Sequence, residues 1–367
     1  MKILFVAKTY HDGDNYLIKN KEVFNSKNYQ KVNEEICNFY SNWLGEFYLL
    51  LKKENKLQIE IIFPHLKNLM NEILIDKDRK NYDEHYNYLI NEYNADLIIF
   101  SGEYEKLYKS MKKNNSKLFL WKSSKIDLIE MKRLKKYFDA IISDNDFILK
   151  LAQNLNIENF YLEPSIPQRI ISNFSFKNRI NEIFFSGSLG FDFNSRKEIL
   201  KYLIKNNINL ELRCRDIKEK NKFKEFILNK FNNIKFINSK RSILKKISKE
   251  PLFHFELINY MKKFKFILNC HSDFDVNKTI NYRVYESLGC GSLLFTDENN
   301  ALERNNFIDE FHLIVYKNKQ DLHDKIKYFT NNLSEAESIA KQGYELVKSQ
   351  HTSEKRLIQF KKIININ

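Results

Sequence analysis

An arginine and a glutamate three residues apart, Arg283 and Glu286, are the side chains in this sequence whose types and spacing best suit the binding of an anionic sugar derivative. Thr279 is predicted as the N-cap of a helix with Arg283 to Leu288 as its body, so both side chains share one face near the helix start. Free amides and the positive dipole end favour phosphate there, the guanidinium adds a bidentate donor, and the carboxylate accepts from sugar hydroxyls. The alternative is a surface ion pair on an amphipathic helix.

Two apolar runs predict the strands that position this helix. Phe266 to Leu268 precede it, and Leu293 to Phe295 follow it after a Gly-Cys-Gly turn. The pattern indicates two buried parallel strands joined by a helical crossover. A ligand of such a sheet lies at the carboxyl ends of the strands.

The residues Asn281, Arg283 and Glu286, followed by the small-residue turn 289–291, also carry a family pattern. They resemble the nucleotide-binding half of GT-B glycosyltransferases, and more narrowly the CgeB-like glycosyltransferases, whose pattern is Asn-x-Arg-x-x-Glu. The resemblance extends over residues 181–360 in order of elements and more loosely over the N-terminal half. It implies an α/β protein of the GT-B fold, with two Rossmann-like, doubly wound parallel-sheet domains facing across a cleft.

The resemblance also implies site residues. Asn281 and Arg283 are expected to bind the donor, with Glu286 on its ribose, in a transferase of the retaining hexosyltransferase type. The broader retaining pattern has an acidic residue eight positions before the glutamate, where this sequence has Lys278. No role is therefore carried over for that acid, and the residues themselves leave retention or inversion open.

The loop after the first predicted strand, Ile3 to Ala7, holds His11 and Asp12. In GT-B enzymes the equivalent loop faces the acceptor, so the resemblance implies that His11 or Asp12 orients or deprotonates an acceptor hydroxyl. The alternative is ordinary turn chemistry, with an Asp-Gly-Asp turn and a solvated histidine.

Further candidates follow the strands of the C-terminal half. Gly187 and Ser188 lie in a predicted small-residue turn after the strand Glu182 to Phe185, and resemblance to the first donor-domain loop places them and Arg196 by the leaving phosphate. Without the family match this stretch is a plain turn. Arg213 and Arg215 lie at the end of the next predicted strand. One of the two is a candidate for contacting phosphate or base, and a surface role is the alternative. His271 is a candidate donor ligand or, in the alternative, a structural histidine.

The alternation of strands and amphipathic helices predicts two domains of parallel, doubly wound sheet. The acceptor-side domain is assigned to residues 1–163 and the nucleotide-sugar-binding domain to residues 181–350. A linker at residues 164–180 begins with two of the chain's four prolines. Residues 351–367 are expected to form a helix that packs back on the first domain, as the GT-B resemblance implies.

Composition sets wider bounds. The 367 residues are 43% apolar and carry a net charge of +14. The range Arg213 to Glu250 holds thirteen Lys or Arg against four Asp or Glu, which AT-rich coding explains better than nucleic-acid binding, since no nucleic-acid motif accompanies it. The four cysteines have no CxxC spacing, so no zinc site is predicted. Without a signal peptide or a long apolar segment, the protein is expected in the cytoplasm, with the anionic inner membrane face as a peripheral partner.

The predicted function is transfer of a sugar from a nucleotide sugar to a glycan, a lipid-linked acceptor or another surface polysaccharide. No metal and no cofactor are predicted, because helix amides and Arg or Lys side chains stabilise the leaving diphosphate. Three rival functions stay open. One is a GT-B-shaped sugar-nucleotide epimerase, and another is a non-catalytic protein that binds nucleic acid or a membrane through the basic range. The third is a transferase-like scaffold that keeps the fold without turnover.

Overall fold

The computed structural model describes residues 1–366 except for 9–12, 25–26, 40–42, 55, 75, 103, 112–115, 125, 191–192, 216–237 and 272–278. The described chain divides into two compact units. The first comprises Met1–Gln168 and His351–Asn367, and the second comprises Arg169–Gln350. The first unit thus ends within the predicted linker and resumes at the predicted C-terminal helix.

The first unit is built on a parallel sheet of six strands in the order β2-β1-β3-β4-β5-β6. Its strands are nearly continuous runs of Val, Ile, Leu and Phe, as expected where helices cover both faces. Their bounds are Lys2–Val6 (β1), Gln58–Ile62 (β2), Leu97–Phe100 (β3), Lys117–Trp121 (β4), Ala140–Ser143 (β5) and Glu158–Tyr161 (β6).

Ten helices belong to the described part of this unit. They are Gly13–Lys19 (α1), Lys21–Phe24 (α2), Tyr29–Phe39 (α3), Trp43–Lys53 (α4), Lys67–Ile73 (α5), Asp76–Asn91 (α6), Glu105–Met111 (α7), Leu128–Leu134 (α8), Asp146–Asn154 (α9) and, at the C-terminus of the chain, Ser353–Ile363. Residues 32–52, whose apolar side chains recur at helical spacing in the sequence, include parts of α3 and α4.

The C-terminal helix completes the core of the first unit. The ring of its Phe360 stacks on Phe47 at 4.7 Å between centroids and lies 6.3 Å from Phe5 and 6.0 Å from Trp121. Phe360 is fully buried. Burying such a ring contributes about 1.5–3 kcal/mol, so these last residues are part of the unit rather than an appendage.

The second unit has a parallel sheet of five strands in the order β11-β10-β9-β7-β8. The strands are Ile180–Ser188 (β7), Leu210–Arg215 (β8), Phe264–Leu268 (β9), Leu293–Asp297 (β10) and Ile314–Tyr316 (β11). The two apolar runs beside Arg283 and Glu286 are β9 and β10, which pair in parallel as predicted. The short apolar segment at Lys235 to Ile237, which the sequence also predicts as a strand, lies outside the described residues.

Seven helices of the second unit are described, numbered onward along the chain. They are Asn194–Lys205 (α10), Asn238–Ile247 (α11), His254–Met261 (α12), Tyr282–Gly289 (α13), Ala301–Arg304 (α14), Lys319–Asn331 (α15) and Leu333–Gln350 (α16), so the C-terminal helix Ser353–Ile363 is α17.

Both sheets reverse the direction of their strand order at one point, between β1 and β3 in the first unit and between β7 and β9 in the second. Successive connections leave these two strands toward opposite sides of the sheet. A crevice therefore opens above their carboxyl ends, and ligands of open α/β sheets bind there.

Candidate functional site

The helix predicted to organise the site, α13, begins at the carboxyl edge of the second sheet. Its N-cap is Asn281, whose backbone is extended (φ −75°, ψ 151°) and whose Oδ1 accepts from the amide of Arg283 at 2.9 Å. The prediction of Thr279 as the N-cap is wrong. Thr279 lies two residues before the N-cap, and its hydroxyl donates to the Ile280 carbonyl at 3.4 Å.

The other end of α13 is closed by a cation and a glycine. Arg179 Nη2 donates to the Cys290 carbonyl at 2.7 Å, where the negative end of the helix dipole favours positive charge. Gly291 follows with φ +74°, a conformation that L side chains rarely adopt. The Gly-Cys-Gly turn thus fixes where the helix stops and where β10 begins.

Arg283 and Glu286 form an ion pair with 2.6 Å between Nη1 and Oε2. It is not the surface pair of the alternative reading, because the side chains are only 17% and 7% exposed. Burial raises the pKa of Glu286 above its usual 4.5, and the neighbouring Arg283 opposes that rise. A guanidinium and a carboxylate thus lie together, partly desolvated, on the first turns of a helix at the ligand edge.

Two further basic groups, His254 and Arg215, lie near Arg283. Burial, together with the charges of Arg215 and Arg283, lowers the pKa of His254 to about 3. His254 is therefore neutral at pH 7, at the first position of α12 and with a positive φ of 47°. Sequence reasoning missed His254, since nothing in its spacing sets it apart from a solvated histidine.

Arg213 is directed elsewhere. Its Nε donates to Glu211 at 3.2 Å, its Nη1 donates to the Glu250 carbonyl at 3.1 Å, and its guanidinium lies 4.5 Å from the centre of the Tyr260 ring. Arg215, two residues further along β8, is the arginine of this strand that influences His254 together with Arg283. The structure thus favours Arg215 over Arg213 as a neighbour of the ligand edge.

His271 lies in a closed hydrogen-bond network rather than facing solvent. Its side chain is fully buried, with Nδ1 2.7 Å from Asp297 Oδ1 and Nε2 3.4 Å from the Asn281 amide. Asn281 also donates from Nδ2 to Asn269 Oδ1 at 2.6 Å. An Nδ1–H tautomer satisfies both ring nitrogens, so the structural alternative describes His271 better than a ligand role.

Arg196 is also turned inward. It is 8% exposed, its Nη1 donates to the Ser188 carbonyl at 2.9 Å, and its Nη2 donates to the Cys270 carbonyl. Gly187 and Ser188 are the last two residues of β7, so the prediction that the strand ends at Phe185 and a turn follows is wrong. A strand extended by three residues brings the Ser188 carbonyl to the same edge as Cys270.

Contacts thus join seven of the predicted residues into one chain along this edge. Gly187 and Ser188 contact Arg196, and Arg196 reaches His271 through the carbonyl of the preceding residue, Cys270. His271 then contacts Asn281, which caps the amide of Arg283, and Arg283 pairs with Glu286. Of the other three predicted residues, Arg213 is bonded to Glu211 and the Glu250 carbonyl instead. His11 and Asp12 lie outside the described residues.

Three further findings concern the described residues only. They include no group of three or more His, Cys, Asp or Glu arranged to hold a metal ion. None of their helices combines the length and the apolar character needed to cross a membrane. Most of the basic range Arg213 to Glu250 falls at residues 216–237, outside the part of the chain that is described.

Comparison with known proteins agrees with this architecture. The family model described as "Glycosyl transferase-like" matches residues 228–362, which include α13 and both strands beside it. No curated protein matches the sequence.

Solved structures match the whole chain. Anabaena HepE in complex with UDP-glucose has a TM-score of 0.60 at 8% identity, with 100% of this chain and 99% of that chain covered. A glycosyltransferase from Rickettsia africae has 0.59 at 14%, with 99% and 97% covered. Sucrose-phosphate synthase from Thermosynechococcus elongatus has 0.58 at 11%, with 100% and 98% covered. The chain therefore has the two-unit fold of the GT-B glycosyltransferases, and its residues 228–362 match the glycosyl transferase-like family.

Proposed function

We propose that the protein is a glycosyltransferase that moves a hexose from a nucleotide sugar to a glycan, a lipid-linked glycan or another surface-polysaccharide acceptor. The observation that carries the proposal is the buried Arg283–Glu286 pair on the first turns of α13. It lies at the carboxyl edge of a doubly wound sheet, inside the region that matches the glycosyl transferase-like family. The CgeB-like subfamily and a retaining outcome are part of the proposal and rest on the sequence pattern alone.

The chemistry required of the second unit is stabilisation of negative charge. When the bond between the anomeric carbon and the phosphate oxygen breaks, its electron pair leaves with the nucleoside diphosphate. The acceptor oxygen forms the new bond to carbon and gives up its proton, for which His11 or Asp12 is the proposed base. Arg283 and the amino end of α13 offer the donors that this developing charge needs, already fixed by the Asn281 cap. We assign no step to a metal ion.

Glu286 is assigned to the ribose of the donor. Its carboxylate is held by Arg283, so it accepts hydrogen bonds from a fixed position. Three solved neighbours, all Anabaena HepE, are complexes with UDP or UDP-glucose, which supports a nucleotide-sugar donor for this fold. The acceptor role of His11 or Asp12, and a peripheral membrane contact, follow from the family resemblance and the net charge.

A thermal-shift panel of UDP-, GDP-, ADP- and CMP-sugars tests the donor assignment. One nucleotide class should raise the melting temperature, because a ligand at a hundred times its dissociation constant adds about 2.7 kcal/mol to folding stability. Arg283→Ala should abolish the shift, whereas Lys201→Ala, in the more exposed Glu198–Lys201 pair at the same spacing, should retain it. No shift with any nucleotide sugar would overturn the proposal.

Product analysis then separates transfer from epimerisation. The protein is incubated with the stabilising donor, with and without a mixture of glycan acceptors. Transfer requires that nucleoside diphosphate is released and that a sugar appears on the acceptor. An altered sugar that stays on the nucleotide without any acceptor would instead identify an epimerase.

A further inference from the structure

Arg196 occupies the crevice where the second sheet changes the direction of its strand order. Of the five strands, β7 and β9 are the neighbours at this point, and α10, which carries Arg196, leaves β7 toward β8. The crevice is where an open α/β sheet binds its ligand. Here a buried guanidinium spans its base.

The guanidinium joins the ends of the two strands. It donates to the Ser188 carbonyl, at the end of β7, at 2.9 Å and to the Cys270 carbonyl, two residues after β9. The rings of Phe193 and Phe185 lie 4.4 and 5.7 Å from its central carbon. The planar guanidinium holds its donors in a fixed fork, whereas the ammonium of lysine is a point charge on a flexible chain and would not hold the two carbonyls in the same geometry.

The strand is shaped to admit this side chain. A Cβ added to Gly187 would lie 3.0 Å from Arg196 Nη1 and 3.2 Å from the tip of the Phe185 ring. Such approaches are tighter than ordinary van der Waals contact. Gly187 is therefore where the guanidinium passes over the backbone, which gives the glycine a role apart from any turn.

From Cys270 the connection runs on to α13. The next residue, His271, holds Asp297 with its amide and Nδ1 and meets the Asn281 amide with Nε2. Asn281 caps the Arg283 amide. The Cys270 carbonyl is thus connected to the first turn of α13 through the buried side chain of His271 and the half-buried side chain of Asn281.

We infer that Arg196 is a positioning residue: it fixes the Cys270–His271 segment and through it the orientation of Arg283 and Glu286, rather than contacting the donor itself. This role rests on the proposed function, since it concerns the same site. It differs from the expectation that Arg196 lies against the leaving phosphate, because its hydrogen bonds run to backbone carbonyls.

A double-mutant cycle tests the role, with UDP and GDP as probes titrated into the full-length protein by calorimetry. Arg196→Lys keeps the charge and loses the two-carbonyl bridge, and it should weaken binding about tenfold, within the range by which contacting groups couple. In an Arg283→Ala background the same change should cost less than twofold, because the group that it positions is gone. Lys201→Ala, on the same helix, is the control and should bind normally.

Three other results would contradict the positioning role of Arg196. A full tenfold loss in the Arg283→Ala background would mean that Arg196 acts independently, as a direct contact. Unchanged affinity with a lower melting temperature would make it a purely structural residue. If neither UDP nor GDP binds the unsubstituted protein, the titrations are repeated with ADP and CMP. Binding of none of the four would overturn the proposed function first, and this role with it.

Gly187→Ala provides a second variant in case Arg196→Lys does not fold. It leaves every charge in place and displaces the guanidinium through the added Cβ. The inference requires it to weaken UDP or GDP binding in the same direction, and again much less in the Arg283→Ala background. Wild-type affinity in Gly187→Ala, with a displaced Arg196 in its crystal structure, would overturn the positioning role.

Discussion

The two units share one strand order, but different side chains connect the two neighbouring strands at which that order reverses. These strands are β1 and β3 in the first unit and β7 and β9 in the second. In the first unit, the Lys8 amide donates to Ser101 Oγ at 3.1 Å, and the Tyr104 hydroxyl lies 3.4 Å from the Ala7 carbonyl and 3.2 Å from His65 Nδ1. Burial raises the pKa of Tyr104 well above its usual value, so these hydroxyl contacts are neutral at pH 7. In the second unit, the corresponding bridge is the guanidinium of Arg196.

This difference shows that topology alone does not decide which unit receives an anion. Both sheets offer a crevice at the same place in the strand order. In the second unit, the positive charges of Arg196 in the crevice and of Arg283 on α13 are largely buried. Beside the first unit's crevice, Lys8 is exposed, and the contacts described across the crevice are made by hydroxyl groups to backbone atoms and an imidazole. Function resides in the site rather than in the fold, and here the electrostatics of two similar folds differ.

The largest expected effect comes from removing the positive charge on α13. Arg283→Ala should lower kcat/KM for sugar transfer by about 2–4 kcal/mol of transition-state stabilisation, as for other groups that stabilise developing charge. Arg133→Ala removes an arginine that pairs with Glu105 on the surface of the first unit, and it should change kcat/KM little. Steady-state kinetics of both variants make the comparison. Equal losses would show that the two units do not differ as argued.

A smaller effect is expected from the carboxylate of the pair. Glu286→Gln keeps the volume and loses the charge, so nucleotide affinity should fall by about 1.5–3 kcal/mol if a charge-assisted hydrogen bond to ribose is lost. Glu198→Gln, in the exposed pair with Lys201 on α10, is the matched control. Calorimetric titration measures both. Donor affinity that stays at the wild-type level in Glu286→Gln would contradict the ribose assignment.

Sequence patterns predicted the fold well where local signals are strong. The six strands of the first unit and β7 to β11 follow apolar runs, and the three-residue spacing placed Arg283 beside Glu286. The N-cap was misplaced because Thr279 and Asn281 are both good capping residues, and only the hydrogen bond to Arg283 selects between them.

Other features depend on which strands are neighbours, and spacing along the chain does not encode this. Arg196 reaches Cys270, 74 residues later in the chain, because β7 lies beside β9. The pairing of β9 with β10 likewise brings His271 against Asp297. Burial of the Arg283–Glu286 pair likewise follows from tertiary packing, so a periodic pattern could not tell it from a surface pair.

The two units should also differ in how acid affects their glutamates. Burial raises the pKa of Glu286 above 4.5, so its contribution to stability is complete below pH 4.5 and is lost as pH rises through the folded-state pKa. A hydrogen bond from Lys109 lowers the pKa of Glu105 in the first unit, so its contribution is present above pH 4.5 and is lost as pH falls through the folded-state pKa.

Urea unfolding from pH 4.5 to 7.5 tests these opposite signs. The stability of the wild type relative to Glu286→Gln should fall with rising pH, by about 1.4 kcal/mol for each unit by which the folded-state pKa exceeds the usual value. Relative to Glu105→Gln it should not fall. A difference for Glu286 that grows with pH would mean that the attraction of Arg283 outweighs burial.

The smallest expected effect comes from the uncharged hydroxyl contacts of Tyr104 in the first unit. Tyr104→Phe removes the hydroxyl between Ala7 and His65, and it should lower the free energy of unfolding by about 1 kcal/mol, the usual contribution of a single hydrogen bond. Nucleotide affinity should not change, because no charge is lost at the crevice of the first unit. Paired urea unfolding and calorimetric titration give both numbers. If Tyr104→Phe lost as much nucleotide affinity as Arg283→Ala, the first unit would contribute equally to nucleotide binding. That result would contradict the assignment of the nucleotide to the second unit.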